Sequence, residues 1–210
     1  MIVGAGGHGH VVADILLQSW TGDGKLRPIG FVDDAASRRE APLGLPILGT
    51  IAALRTIDHD GIVVAIGDNR RRADVFAALL AAGERPVVAR HPSAIVAADV
   101  RIGAGTVLCA GAIVNPATEI GRNVILNTGA TLDHHNRIGD HAHLAPGVHT
   151  AGDVQVGEGA LVGIGAVLLP GRRIGAWSVV GAGGAVHRDV HERTKVVGVP
   201  ARVMVAREQS

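Results

Sequence analysis

Five histidines, His134, His135, His141, His143 and His149, fall within sixteen residues of this 210-residue chain. Imidazole titrates near neutral pH, so a histidine held against a nucleophile can take its proton as a general base. A histidine cluster can also hold zinc, which needs three or four ligands converging on one point. In a chain that coils every eighteen residues, as argued below, ligands on neighbouring coils would stand about eighteen apart. Eighteen residues beyond His134, His135 and His143 stand Gly152, Asp153 and Leu161. No histidine pair has that spacing, and the expectation is that no metal is held. His141-x-His143, or ligands from a neighbouring subunit, are the arrangements the spacing leaves open. His141 and His149 read as surface residues, and the single cysteine, Cys109, as a small packed residue rather than a nucleophile.

A second group with chemistry lies at the amino terminus. Gly4-Ala5-Gly6-Gly7-His8-Gly9 satisfies G-x-G-x-x-G after a short strand and before a helical pattern. Glycines there let backbone N–H groups and a helix N-terminus approach a phosphate. A dinucleotide site wants an acidic residue about twenty positions on; Asp33 and Asp34 stand nearer thirty on, at the end of the second strand. A sugar nucleotide is favoured over a nicotinamide cofactor, with a tight turn that holds no ligand as the plain alternative.

The elements that must position these groups follow from two rhythms. Sixteen residues taken every sixth from Val96 to Val186 are Ile, Leu or Val except for Thr150, itself β-branched. A strict six fits neither a strand nor an α-helix. It fits flat faces closing a triangular coil, with one aliphatic per face pointing inward and stacked coils pairing as parallel strands. Gly103, Gly121, Gly139, Gly157 and Gly175 recur every eighteen, which predicts a shared corner with φ > 0 and no Cβ. Two residues before the core positions the chain prefers small or β-branched residues, such as Thr106, Ala112, Thr118, Val124 and Ala130, and Arg172 is a misfit. The expectation is a parallel β-helix of about five coils over residues 91–210. Residues 1–90 instead alternate strands (Met1–Val3, Pro28–Val32, Gly61–Ile66, Pro86–Ala89) with helical stretches, one from about Arg71 to Ala82. That alternation predicts a small Rossmann-like parallel sheet with helices on its faces. The short opening strand is compatible with a few further residues ahead of Met1.

Composition narrows the partners. A net charge of +1 with scattered Lys and Arg offers no footprint for nucleic acid or a membrane surface. One cysteine suits a reducing compartment, no apolar run approaches a membrane span, and the chain opens with no signal peptide pattern. A cytoplasmic protein is expected.

Several runs together resemble a known family. They are Gly4 to Gly9, Gly30-Phe31-Val32-Asp33-Asp34, Ala65-Ile66-Gly67-Asp68-Asn69, His91-Pro92-Ser93-Ala94, Asn127-Thr128-Gly129-Ala130, Leu132-Asp133-His134 and Val197-Gly198-Val199-Pro200-Ala201-Arg202. In this order they resemble the hexapeptide-repeat sugar-nucleotide N-acetyltransferases and sialic acid O-acetyltransferases, along essentially the whole chain. The resemblance implies a left-handed β-helix, homotrimers with active sites between subunits, and acetyl-CoA lying along the coils. It places Gly6, Gly7, His8 and Gly9 near the phosphates of a sugar nucleotide, Asp33 and Asp34 near its base, and Asp68 and Asn69 at the same site. His134 falls on the catalytic base, Asn127 on a nearby polar residue, and His143 on the residue meeting the acetyl thioester. Gly152 and Ile164 fall along coenzyme A. The family usually carries Asp or Glu directly after the base, where this chain has His135. Asp133 or a neighbouring chain's carboxylate would then substitute, or the base would be less basic than in relatives.

The expected reaction is direct transfer from acetyl-CoA to the amine of a nucleotide-linked sugar, with a UDP-4-amino-4,6-dideoxy sugar favoured. Other classes compete: O-acetylation of a sialic acid or other sugar, a γ-carbonic-anhydrase-like metal hydratase, and a non-catalytic sugar-nucleotide-binding scaffold.

Overall fold

A computed structural model describes residues 1–23, 26–35 and 42–204. Four short parallel strands open it: β1 (Ile2–Val3), β2 (Phe31–Val32), β3 (Ile47–Gly49) and β4 (Val63–Val64), in the order β3-β2-β1-β4. Ile2, Val3, Phe31 and Val32 are wholly buried because helices cover both faces. Helix α1 (Gly7–Asp23) buries Val12, Ala13, Ile15 and Leu16 on one side. Helix α2 (Asn69–Ala81) buries Phe76 and Leu79 on the other, joined by Leu54 of a 3₁₀ turn. Strand β3 has no counterpart among the expected strands. The expected strand Pro86–Ala89 is divided: Pro86 bridges Ile62, whereas Ala89–Arg90 pairs with Val107–Leu108 of the β-helix.

From Ala89 the chain winds into a left-handed β-helix with three walls. The first runs through Val107–Leu108, Ile125–Leu126, His143–Leu144, Leu161–Val162 and Val179–Val180. Ala89–Arg90 precedes these, and Lys195–Val197 with the antiparallel Arg202–Val203 closes the wall at eight strands. The second wall has six strands, Ile95–Val96 to Ala185–Val186, and the third five, Arg101–Ile102 to Arg173–Ile174. Each coil bonds to the next in an eighteen-residue register, for example Leu126 with Leu144 and Leu144 with Val162. The every-sixth ladder is the core, and Thr150 sits in it 6% exposed.

The corners correct one expectation. Gly103, Gly121, Gly139, Gly157 and Gly175 do not have φ > 0. They are glycine because the next coil passes too close: a Cβ at Gly103 would lie 2.5 Å from the Gly121 carbonyl carbon, and one at Gly139 2.6 Å from the Glu158 nitrogen. The left-handed residues fall elsewhere, three before each core position from Leu108 onward. Glycines there have φ of 62–76°, and Ala117, Asn123, His135, His141, Asp153 and Trp177 have φ of 54–61°. Side chains are rare in this region because Cβ crowds the following carbonyl. Here each N–H donates to the coil before, as Asn123 to Ala104 and His141 to Arg122, so the ladder holds them there. The residues two before the core, Thr106, Ala112, Val124, Ala130 and Ala160 among them, are buried. Arg172 escapes by bonding the Pro170 carbonyl and pairing with Asp189 at 3.6 Å.

Helix α2 lies along one of these corners. Phe76 packs at Gly105 and edge-on to His141, Arg72 bonds Asn123 and His141, and Asn69 bonds Gly159. Arg70 stacks 4.9 Å over Trp177. A helical turn advances about 5.4 Å and stacked strands about 4.8 Å, so turn meets coil repeatedly.

Candidate active site

The amino-terminal motif is partly scaffold and partly open. Gly4 has φ +106° with the Ala65 carbonyl 3.0 Å from where a Cβ would be, and a Cβ at Gly9 would collide with the Gly4 carbonyl. Both glycines serve the turn itself. Gly6 and Gly7 are exposed, and a Cβ on either would meet nothing within 4 Å. Space is therefore kept at the N-terminus of α1, where unpaired N–H groups and the helix dipole favour an anion. Asp33 accepts from the Ala5 N–H at 2.7 Å and from Ala35 at 2.7 Å, pinning the turn to the end of β2. Asp34 accepts from Ile51 at 2.9 Å. Both carboxylates thus support the backbone around the opening, a use the sequence reading did not foresee.

Asp68 and Asn69 are likewise engaged. Asp68 caps α2 by accepting from the Arg71 N–H at 2.8 Å. Asn69 donates to the Gly159 carbonyl at 3.0 Å and accepts from Arg72 at 3.0 Å. Arg72 is completely buried, and its guanidinium also bonds the carbonyls of Ile66, Asn123 and His141. Burial lowers its pKa to about 10. Within Arg70-Arg71-Arg72 nothing in the sequence marks it from a solvated helix face. His141 is half-buried rather than exposed, with Asn123 2.9 Å from its Nδ1. His149 is exposed, 2.8 Å from the Thr131 hydroxyl.

His8, near the start of α1, lies close enough to His143 on the first wall for a charge on it to bear on that ring. Burial, then the Arg72 charge, pushes His8 down to about 4, and its Nε2 has no protein partner. Burial, with Arg72 and His8 adding, pushes His143 down to about 3. Both rings are neutral at physiological pH. Asn127 pairs with His143, Nδ2 to Nε2 at 3.1 Å, and not with His134. Its Oδ1 accepts from the Thr128 N–H at 2.8 Å, which leaves Nδ2 as donor and His143 Nε2 as acceptor. His143 thus presents a lone pair at Nε2, so the Asn127 amide is the donor of the two. In the ladder His143 stands between Ile125 and Leu161. Among the described residues no three or more His, Cys, Asp or Glu side chains are placed to share a metal ion.

His134 sits at a different corner, after the second-wall strand Thr131–Leu132. Its Nδ1 is 3.0 Å from His135 Nδ1, with the rings at 84°. Asp133 does not reach the imidazole. Its Oδ1 accepts from the His134 backbone N–H at 2.8 Å and from Asn115 at 3.1 Å. These bonds hold the carboxyl below the usual range. The ring lies against Gly152 of the next coil: a Cβ there would be 2.8 Å from Nε2 and 3.0 Å from Nδ1. Gly152 is therefore the seat of the imidazole. Ile164, 61% exposed, follows a first-wall strand, at the corner that carries Asn127 two coils earlier. Within one chain no hydrogen bond among the described residues joins His134 to His143 or Asn127. Cys109 is buried, with burial pushing its thiol up to about 12.

A β-helix of hexapeptide coils with an α/β nucleotide-type domain docked on one wall defines a class, the hexapeptide-repeat transferases. Residues 1–79 match the family described as PglD N-terminal domain. No curated protein matches the chain. The acetyltransferase domain of PglB from Neisseria gonorrhoeae, solved with acetyl coenzyme A, is 33% identical over 97% of each chain, with a TM-score of 0.90. PerB from Caulobacter crescentus, solved with CoA and GDP-perosamine, is 39% identical over 97% of this chain and 96% of its own, with a TM-score of 0.89. WeeI from Acinetobacter baumannii is 26% identical over 97% and 98%, with a TM-score of 0.87. The chain belongs to the hexapeptide-repeat sugar N-acetyltransferase family.

Proposed function

We propose that this protein transfers the acetyl group of acetyl-CoA to the amine of a nucleotide-linked amino sugar, in a ternary complex, with His134 as general base. The observation that carries the reading is the junction at His8 and His143. An anion-ready helix terminus with vacant space over Gly6 and Gly7 opens beside a polar pair, His143 and Asn127, on the wall of an acetyltransferase-type β-helix. The PerB complex, which holds CoA and GDP-perosamine together, supports direct transfer.

In this reading the sugar nucleotide's phosphates meet Gly6, Gly7, His8 and Gly9, with Asp33, Asp34, Asp68 and Asn69 shaping the rest of its pocket. The sugar amine attacks the thioester carbonyl while His134 Nε2 accepts its proton. The Asn127 amide beside His143, or a backbone N–H, stabilises the oxyanion, a contact worth about 3–4 kcal/mol. Coenzyme A passes the coils near Gly152 and Ile164. Because His134 sits at the corner after the second wall, while His143 lies on the first wall and Asn127 just after it, a second copy of the chain completes each site, and the assembly is a cytoplasmic homotrimer. Light scattering that gives a fully active monomer at micromolar concentration refutes this.

The acceptor is a 4-amino-4,6-dideoxy sugar, with UDP as the favoured nucleotide and GDP the competitor raised by PerB. Thiol release from acetyl-CoA against UDP-, GDP- and dTDP-amino sugars and free sialic acid decides between them. Turnover with none of the amino-sugar nucleotides overturns the proposal. Gly7→Val fills space no protein atom uses, so it should raise KM for the sugar nucleotide and leave that for acetyl-CoA unchanged. His134→Ala should lower turnover roughly 10²- to 10⁴-fold.

A further inference from the structure

The residue after His134 is an imidazole where the family resemblance calls for a carboxylate, and the structure turns it onto its neighbour. His135 occupies a left-handed corner (φ 61°), its backbone N–H held at 3.0 Å by the Pro116 carbonyl one coil earlier. That conformation brings its Nδ1 to 3.0 Å from His134 Nδ1. Two ring nitrogens at this distance share one proton: one donates and the other accepts. We propose that His135 is the positioning residue of the base, accepting the His134 Nδ1–H so that His134 presents an unprotonated Nε2 to the sugar amine. This rests on the reading of His134 as the base.

The alternative holders are otherwise occupied or absent. Asp133 is bound to the His134 backbone and to Asn115. Gly152, beneath the ring, has no side chain. Asp153, one coil on from His135, donates its backbone N–H to the His134 carbonyl at 3.0 Å, and among the described residues no hydrogen bond joins its carboxylate to the ring. Asp99, two coils before His135 at the same corner, accepts from the Ala117 N–H at 2.8 Å. Asp133 and Asp153 are thus the carboxylates of this corner on the same and the next coil, and among the described residues His135 alone bonds the imidazole.

The proton balance then follows. As the sugar nitrogen bonds to the thioester carbon, its proton passes to His134 Nε2, and Nδ1–H keeps donating to His135. When the C–S bond breaks, the departing thiolate takes that proton and the pair returns to its starting state. His135 carries no proton for the reaction. It must offer a lone pair. A protonated His135 donates from both nitrogens, which forces His134 Nδ1 to accept and leaves the only proton of a neutral His134 ring on Nε2, where it blocks the base.

The test uses four variants of the full chain, assayed for turnover across pH. His135→Ala should fold, because Ala117 occupies the equivalent corner at φ 59°. It should lower kcat roughly 10- to 100-fold, with KM for acetyl-CoA unchanged. His135→Asn, whose oxygen can accept the same bond and which tolerates the left-handed corner, should recover most of that loss. His135→Asp should move the acidic limb to higher pH by about 1 unit, a nearby anion favouring the charged imidazole. His134→Ala is the reference. If it is inactive while all three His135 variants match the wild type, the positioning role falls and the base stands. If His134→Ala keeps full turnover, the base reading itself falls. An Asn variant as slow as the Ala variant also overturns the proposal.

Discussion

Gly152→Ala separates two uses of one residue. A methyl group at Gly152 would be 2.8 Å from Nε2 and 3.0 Å from Nδ1 of His134, with the ring carbon between them closer still. Non-bonded heavy atoms settle at about 3.5 Å or more, so the imidazole must retreat by roughly 0.7 Å at Nε2. His135 Nδ1, at 3.0 Å, restrains it from another side. The retreat therefore tilts the ring or breaks that bond. Displacing a reacting group by about 1 Å can cost about 10²-fold, which is about 2.7 kcal/mol of transition-state stabilisation. Gly152 does not occupy the left-handed region, so alanine adds no backbone strain and the steric effect stands alone. Steady-state thiol release should show kcat lowered about 10²-fold, KM for acetyl-CoA nearly unchanged, and a melting temperature close to wild type. Unchanged kcat would refute the seating argument. A raised KM for acetyl-CoA at constant kcat would place the residue along the cofactor instead.

Three further outcomes follow from the buried groups. Arg72→Ala strands the Asn123 and His141 carbonyls and should cost about 3 kcal/mol in chemical denaturation, with earlier proteolysis between α2 and the β-helix; a loss within experimental error would show the buried guanidinium to be dispensable. His8 and His143 have folded-state values of about 4 and about 3, below the unfolded 6.5, so the unfolded chain binds more protons between those limits. Stability should therefore fall as pH drops below about 6.5, and His143→Asn should flatten that dependence in melting curves; an unchanged slope would refute burial of the neutral ring. Cys109, buried with its thiol pushed up to about 12, should resist a thiol reagent at pH 8 until denaturant is added, and rapid labelling of the native protein would contradict the packing.

The β-helix was legible because each coil has one interior position per wall that an aliphatic side chain fills best, so the rhythm runs from Val96 to Val186 with Thr150 its one exception. The corner glycines were legible in position but not in cause. Gly103 and its successors answer to the coil above, while the left-handed positions accept Asn123, Asp153 or Trp177 because backbone hydrogen bonds, not residue type, hold them there. At the site, the sequence pointed to His134 and His143 but could not say that a corner carries the first and a wall strand the second. It also could not show that Asn127 bonds His143, since sixteen residues of separation become contact only through the coil register. Arg72 was hidden in a run of three arginines. His135 was visible as a departure, yet its contact with His134 depends on a backbone angle that no residue type announces.

The lie of α2 along the corner from Gly105 to Trp177 bears on how such a chain can change its length. A solenoid grows by copying coils, and eighteen residues inserted anywhere would keep every aliphatic facing inward. Inserted between Gly105 and Trp177, however, a copied coil would move Asn123, His141 and Gly159 out of step with Arg72 and Asn69. The helix acts as a ruler that fixes the number of coils beside it. Beyond Val186 the β-helix has no such gauge, so lengthening or trimming by whole coils should be accommodated at its carboxyl-terminal end and resisted in the middle.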